Sequence, residues 1–435
     1  MKFKKIKVSN FKSFQNLDLS INDFTVLIGP NASGKSIFVD IFQFLSDIFN
    51  YGLDNAISMQ GGRDYIRNVN TKDRNINISI MLDCGEDELS LPITKRDFIS
   101  KKGFPISYTL EVEEIIYELN VYFVETRKVH KITSEKLKLK GKLMEVVMSR
   151  KKRELELKYV DRGKSNFDID RTEKKVYFKF ESDNKDIKIS NKDIMSRYFY
   201  DWKLSKNLDP KEIYINSNLM PIMLSDFVKY LKNIIVYNID PKLPKRSTLI
   251  TGKNILESDG SNLAIVLKKI LENKENKKKF SSLIKNVLPF VEDLAIERFS
   301  DKSLIASLKE TYSKKKYFPA SLLSDGTINI IALIIILYFE EKDFIIIEEP
   351  EKRIHPNLIA KIMNMMNDVK DKKQLIITTH NPEVVRYTDI EYLYIIRRDK
   401  EGFSNIEKVT NMEHLKKFLE NEIGLEELFV EDLLR

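Results

Sequence analysis

GPNASGKS, Gly29–Ser36, is the stretch on which the reading of this chain turns. Before it runs FTVLIG, Phe24–Gly29, a short unbroken apolar segment with β-branched members, as expected of a strand buried on both faces. After it runs SIFVDIFQFLSDIF, Ser36–Phe49, which places Ile37, Ile41, Leu45 and Ile48 on one face of a helix. Strand, glycine loop and helix form the setting in which G-x-x-x-x-G-K-[ST] wraps a polyphosphate. Gly29, Pro30, Asn31, Ala32, Ser33 and Gly34 would turn backbone N–H groups inward, and the helix N-terminus adds its positive end. Lys35 would reach the outer phosphates, and the Ser36 hydroxyl would ligate Mg²⁺. The plainer alternative is a glycine turn before a helix.

A phosphate cradle needs a metal partner and a base. DFIIIEEPE, Asp343–Glu351, offers carboxylates directly after four apolar residues, at the strand end where parallel sheets place ligands. Glu348 is the candidate Mg²⁺ ligand, direct or through water, and Glu349 the candidate base or positioner for an attacking water. LIITTHNPEVV then ends a further strand on His380, whose imidazole could donate to a phosphate oxygen or to that water. SLLSDGT, Ser321–Thr327, precedes an apolar helix, so Ser324 reads either as its N-cap or as part of a site completed by a second molecule.

The bulk numbers suit this chemistry. At 435 residues the chain exceeds one ordinary core, so two or three lobes are expected. An apolar share of 42% supports globular packing, and the greasiest run, Ile330–Phe339, is about half the ~18 residues of a membrane span. The N-terminus alternates like a strand and does not resemble a signal peptide. A single cysteine, Cys84, excludes an internal disulfide and a cysteine zinc cluster. We therefore expect a cytoplasmic protein. Net charge is +8, and Arg127–Arg153 concentrates eleven Lys/Arg against two Glu, either a contact for nucleic-acid backbone or a solvated face.

The expected organisation is an α/β fold with a mixed or parallel sheet and an inserted β-rich plus helical region. Residues 1–90 would form the N-terminal half with the phosphate loop, 91–225 an inserted, β-rich, basic region, 226–342 a helical lobe carrying Ser324, and 343–435 the C-terminal half with the carboxylates and His380. FKKIKVSNF and LDLSI read as an edge hairpin, DIMSRYFYDW and LSDFVKYLKNII as helices, and DPKLPKRS as a hinge or lobe boundary. No heptad repeat indicates a coiled-coil arm.

Taken in order, NFKSF, GPNASGKS, DGSNLAIVL, LSDGT, EEPEKRIHP and TTHNP resemble the ABC-type P-loop ATPases of the RecF/SMC/OLD-like group, and most closely their stand-alone AAA-type members without a Toprim domain. The resemblance implies ATP and Mg²⁺ as cofactors and a homodimer that sandwiches ATP. In it, SDGT is the signature segment: Ser324 and Gly326 would meet the γ-phosphate of ATP held by the partner copy. It also makes Gln60 a candidate Mg²⁺-sensing glutamine and Lys12 a candidate nucleotide contact. Glu348 stands where aspartate is commoner, and RIHP where transporter-type relatives carry Leu-Asp. The output would be DNA-linked work in repair or anti-phage defence, or the holding and release of a separate effector protein such as a toxin or nuclease. A transporter ATPase subunit is disfavoured by the size of the insertion and by a signature that is not Leu-Ser-Gly-Gly-Gln.

Overall fold

The computed structural model describes residues 1–85, 89–99, 105–125, 129–151, 154–172, 175–185, 209, 211–216, 224–421, 423 and 434; of 93–99, 105–107, 147–151, 154–158 and 216 it describes the backbone only. DIMSRYFYDW lies outside the described residues. The chain divides into two compact units, Met1–Ile21 with Asp40–Asn233, and Asn22–Val39 with Ile234–Arg435. The division falls inside helix α1 (Lys35–Tyr51) and between Asn233 and Ile234, so the DPKLPKRS turn is interior to the second unit rather than a boundary.

The first unit is built on an antiparallel sheet. Its strands are β1 (Lys2–Phe11), β2 (Phe14–Ser20), β4 (Asn75–Asp83), β5 (Ser90–Ile99), β6 (Pro105–Val124), β7 (Val129–Lys151), β8 (Glu154–Thr172) and β9 (Val176–Ser182). They run in the order β2-β1-β4-β6-β7-β8-β9, with β5 paired to β6, so the expected N-terminal hairpin does form the edge. Alternation makes this sheet: β4 reads NINISIMLD and buries Ile76, Ile78, Ile80 and Leu82 on one face. Helices α2 (Leu53–Met59), α3 (Arg63–Ile66) and α4 (Ser225–Lys232) belong to the same unit.

A fully buried ion pair pins a returning segment to this sheet. Glu135 on β7 lies 3.4 Å from Arg171 on β8, and its two oxygens accept the Tyr214 and Ile215 N–H groups at 2.8 and 3.1 Å. Arg171 donates in turn to the Asp209 carbonyl at 2.7 Å. Burial raises the Glu135 pKa, opposed by those two N–H groups and the guanidinium. Removing one partner would strand the other charge in the core, and such losses run to about 3–5 kcal/mol.

The second unit holds a six-stranded sheet in the order β10-β15-β16-β3-β17-β18: β10 (Ile235–Tyr237), β15 (Phe344–Glu348), β16 (Gln374–Thr379), β3 (Phe24–Ile28), β17 (Leu393–Arg398) and β18 (Ser404–Lys408). All neighbours are parallel except β17 and β18. This is the mixed sheet of an α/β P-loop NTPase. Every residue of β3 and β16 is buried, as their unbroken apolar runs require. Around it lie α5 (Leu263–Glu272), α6 (Lys274–Val287), α7 (Asp325–Tyr338), α8 (Pro356–Val369), α9 (Pro382–Arg386) and α10 (Met412–Asn421). Helix α7 buries every residue from Thr327 to Leu337, which is why its sequence is apolar all round.

The 226–342 stretch, expected to be helical, also carries an antiparallel sheet: β11 (Thr248–Leu249), β13 (Ser303–Glu310) and β12 (Val291–Ser300) in that order, with β14 (Tyr317–Pro319) beside β13. VEDLAIERFS buries little beyond Val291 and Leu294, so its period is masked by exposed charged positions. Pairing with β13, buried from Ser303 to Leu308, determines its state.

Candidate functional site

Parallel register brings four strand ends to one edge of the six-stranded sheet. Ile28 lies opposite Thr379, Thr378 opposite Glu348, and Ile347 opposite Tyr237. The loop after β3, the turn after β16, the carboxylates at the end of β15 and Asn238 after β10 therefore emerge side by side.

The glycine loop has the backbone its sequence requires. Gly34 has φ +112° and Ala32 φ +63°, both in the left-handed half of conformational space. Gly29 has another reason to lack a side chain: a Cβ there would sit 2.3 Å from the Ile396 carbonyl and 2.8 Å from Ser33 Oγ. Ser33 Oγ is itself buried, with no hydrogen-bond partner among the described residues. Ser404 Oγ donates to the Ser33 carbonyl at 2.8 Å and ties the loop to β18.

Lys35, at the start of α1, is 8% exposed and donates to the loop's own carbonyls, Gly29 O at 2.7 Å and Pro30 O at 2.8 Å. Burial pulls its pKa down, opposed by Glu349, Glu351 and Glu348. Next to it, Ser36 Oγ donates to Glu348 Oε2 at 2.8 Å, joining the two expected metal ligands. Asn238 Nδ2 reaches the other oxygen of Glu348 at 3.4 Å. Nothing in the local sequence marked Asn238; only the β10–β15 pairing brings it here.

Glu349 stands one residue beyond β15 at φ +46°, an uncommon conformation for a residue with a side chain, held by its N–H donating to Thr378 O at 2.8 Å. Its Oε1 lies 2.7 Å from His380 Nδ1. If the carboxylate is the acceptor, Nδ1 carries the proton and the ring is oriented by the base beside it. Glu351 was not anticipated as a site residue. It is 5% exposed, accepts from Thr379 Oγ1 at 2.5 Å, and leaves Oε2 buried and unpartnered among the described residues. Burial pushes its carboxyl up to about 7 despite the Thr379 hydrogen bond, with Glu349 adding to the shift.

Ser324 caps α7. Its Oγ accepts from Thr327 N–H at 3.1 Å and lies 2.8 Å from Thr327 Oγ1, so its side-chain bonds are to its own helix and not to the glycine loop. The adjoining residues bind the helix start to the segment after the carboxylates. Asp325 pairs with both Lys245 and Arg353, and these contacts hold its carboxyl below the usual range. Asn329 Nδ2 donates to Lys352 O at 2.6 Å. A Cβ on Gly326 would stand 2.8 Å from Arg353 O, so the glycine permits close packing there. His355, in RIHP, caps α8 by accepting Asn357 N–H at 3.3 Å.

The other candidates lie in the first unit. Lys12 Nζ is 2.6 Å from Asp40 Oδ2, and Gln60 is the buried C-cap of α2. The basic run is less one-sided than its composition. Lys136, Lys138, Lys140 and Lys142 on β7 each pair with a carboxylate: Asp170, Asp168, Glu114 and Glu113. Arg127, Lys128, Lys152 and Arg153 lie outside the described residues.

A family model with the description "AAA domain, putative AbiEii toxin, Type IV TA system" matches residues 24–120 and 133–386, most of the chain. The chain belongs to this AAA-domain family. Among curated proteins none matches. Similar structures include an SMC head bound to the C-terminal winged-helix domain of ScpA, at 13% identity and TM-score 0.49 over 94% of this chain and 98% of that one. Another is the SMC head domain from Thermotoga maritima, at 13% identity and TM-score 0.41 over 94% and 100%. A third is the Pyrococcus furiosus SMC head with an extended coiled coil, bound to the C-terminal domain of ScpA, at 14% identity and TM-score 0.45 over 96% and 98%. No described helix of this chain is long and apolar enough to cross a membrane.

Proposed function

We propose that this protein is a Mg²⁺-dependent ATPase whose two copies clamp ATP between the Gly29–Ser36 loop of one and the Ser324–Gly326 segment of the other. One observation carries the reading: Lys35, the Ser36–Glu348 pair and the Glu349–His380 pair meet at the edge where β3, β15 and β16 end.

The donor set suits Mg²⁺. A serine hydroxyl and one carboxylate supply hard oxygens, and no group of three or more His, Cys, Asp or Glu among the described residues is placed to hold a metal. Mg²⁺ is commonly held in this way, by one or two protein oxygens together with substrate phosphates and water. When bound, the ion would neutralise phosphate charge. The loop's backbone and Lys35, released from Gly29 O and Pro30 O, would hold the β- and γ-phosphates. Glu349 takes the proton of the attacking water as its oxygen bonds to the γ-phosphorus and the bond to the ADP oxygen breaks. His380 holds Glu349 in position through Nδ1–H. Ser324 keeps its capping role, and the capped helix end faces the partner's γ-phosphate.

For the output, the family's toxin and type IV toxin–antitoxin description favours a switch that holds or releases an effector protein. DNA-linked work is the second reading, and the pairing of the four β7 lysines removes part of its original support. The test is phosphate release by the purified chain with ATP and Mg²⁺. Activity abolished by Lys35→Ala and by chelation is the expected result; no turnover and no ATP binding by the folded parent would sink the proposal.

A further inference from the structure

A cleft of about 430 Å³ opens in the first unit, lined by the 67–74 loop, Asp64 of α3 and Glu125 just past β6. Its wall is the 67–74 loop, and that loop is fixed with unusual thoroughness. Asn10, 2% exposed at φ +58°, donates from Nδ2 to Asp73 O and Asn75 O, both at 2.8 Å. Its Oδ1 accepts Thr71 Oγ1–H at 2.7 Å and Asn68 N–H at 3.2 Å. One buried side chain thus sets three points of a surface loop and the first residue of β4, which is preorganisation beyond what a simple connection needs.

The loop presents cations. Arg67 and Lys72 line the cleft and have no ion-pair or hydrogen-bonding carboxylate among the described residues, whereas Arg74 is paired to Glu125 at 2.9 Å. The Arg67 guanidinium lies 5.3 Å from the ring centre of buried Phe123, and Arg63 stands over the same ring at 5.8 Å. That stacking holds the planar groups in place. Arg67 Nε is buried without a hydrogen-bond partner among the described residues, while Arg63, behind it, donates from Nη2 to Val124 O at 3.0 Å. Asp64 is the one further carboxylate on the rim, so two free cations face one anion. Unsatisfied buried donors are rare enough in folded proteins to ask for an occupant.

We propose that this cleft binds a phosphate group, held by the Arg67 guanidinium and the Lys72 ammonium. Arginine's fork matches phosphate oxygens and lysine adds a point charge. The volume lies within the range of small-ligand sites, roughly 300–1,000 Å³, and would accept a nucleotide unit. The phosphate belongs either to a nucleic-acid backbone or to a small free phosphate ligand, and the test separates these sources.

Binding of a short labelled single-stranded DNA, followed by fluorescence anisotropy over a salt series, is compared with calorimetric binding of pyrophosphate, every protein carrying Lys35→Ala so that the glycine loop does not take up the pyrophosphate. The proteins are the full-length parent, Arg67→Gln and Lys72→Gln, with Lys138→Gln as a control drawn from the paired lysines. If the source is a polynucleotide, each variant weakens DNA binding by about tenfold and lowers the salt slope by about one, with Lys138→Gln unchanged. If it is a small phosphate, the pyrophosphate affinity falls in both variants and DNA is not bound. Because Arg67 stacks on the core, Lys72→Gln decides alone if Arg67→Gln does not fold. Unchanged binding of both probes by Lys72→Gln, or no binding of either by the parent at low salt, overturns the proposal.

Discussion

In the second unit, the parallel strands β3 and β16 are buried along their whole length, and Glu348, Glu349 and His380 stand at or just past strand ends. In the antiparallel sheet of the first unit, charged side chains recur along β7, and lysines from Lys136 to Lys142 meet carboxylates on the neighbouring strands β6 and β8. The two arrangements handle charge differently. A strand with no solvent face can carry a polar group only at its tip, so tips converge and their groups interact. A strand with one wet face distributes its charges along the ladder, where each is neutralised locally. Chemistry is therefore expected at the tips and little from the ladder, even though the ladder is the more basic region of the sequence.

The largest effect that would break this comparison is at Glu349. Glu349→Gln should retain ATP binding while phosphate release falls by about 10²–10⁴-fold, because a carboxamide cannot take the water's proton. Single-turnover kinetics beside a nucleotide-binding titration checks it. Normal turnover by this variant, with turnover lost in Glu348→Gln, would exchange the roles of the two glutamates.

Next in size is the second tip-like feature, the cap of α7. Lys35→Ala keeps its Ser324 segment and Ser324→Arg keeps its loop, so each should be inactive alone. Mixed, they form heterodimers with one complete site and should regain part of the parent's activity. No recovery in mixtures shown by sizing to contain heterodimers would rule against a site shared between copies. Ser324→Ala should also cost about 1 kcal/mol as a lost cap, read in a denaturant melt.

Glu351 sharpens the argument about burial. Its folded-state pKa of about 7 lies above the ordinary glutamate value, so the native state holds a proton that the unfolded chain has released. Stability should therefore fall as pH rises from the ordinary glutamate range through 7, by at most about 3 kcal/mol. Glu351→Gln should flatten that dependence and exceed the parent's stability above pH 7. Identical pH profiles for parent and variant in chemical unfolding would contradict the assignment.

The smallest expected effect lies on the ladder. Lys138→Gln with Lys140→Gln should shift stability by about 1 kcal/mol or less and leave ATP turnover unchanged, since exposed pairs contribute little. A large loss of DNA binding in this double variant would show that the paired lysines serve a partner after all.

Much of the site was legible because its signals are local. A glycine loop between an apolar run and an amphipathic helix, and glutamates after four apolar residues, declare themselves through backbone requirements and burial that act over a few residues. Gly29, Lys35, Ser36, Glu348, Glu349 and His380 were picked out as candidates that way, and the structure brings them to one sheet edge; the cap at Ser324 was read likewise. What only the tertiary structure decided is which distant pieces share an edge. Asn238 lies beside Glu348 because β10 pairs with β15, and Glu351 meets Thr379 because β15 pairs with β16. The charge of β7 was legible as composition, but its neutralisation depends on the register of β6, β7 and β8. Residue type and local period follow from the chain itself; partners and pKa values follow from the strand order, which long-range pairing alone selects.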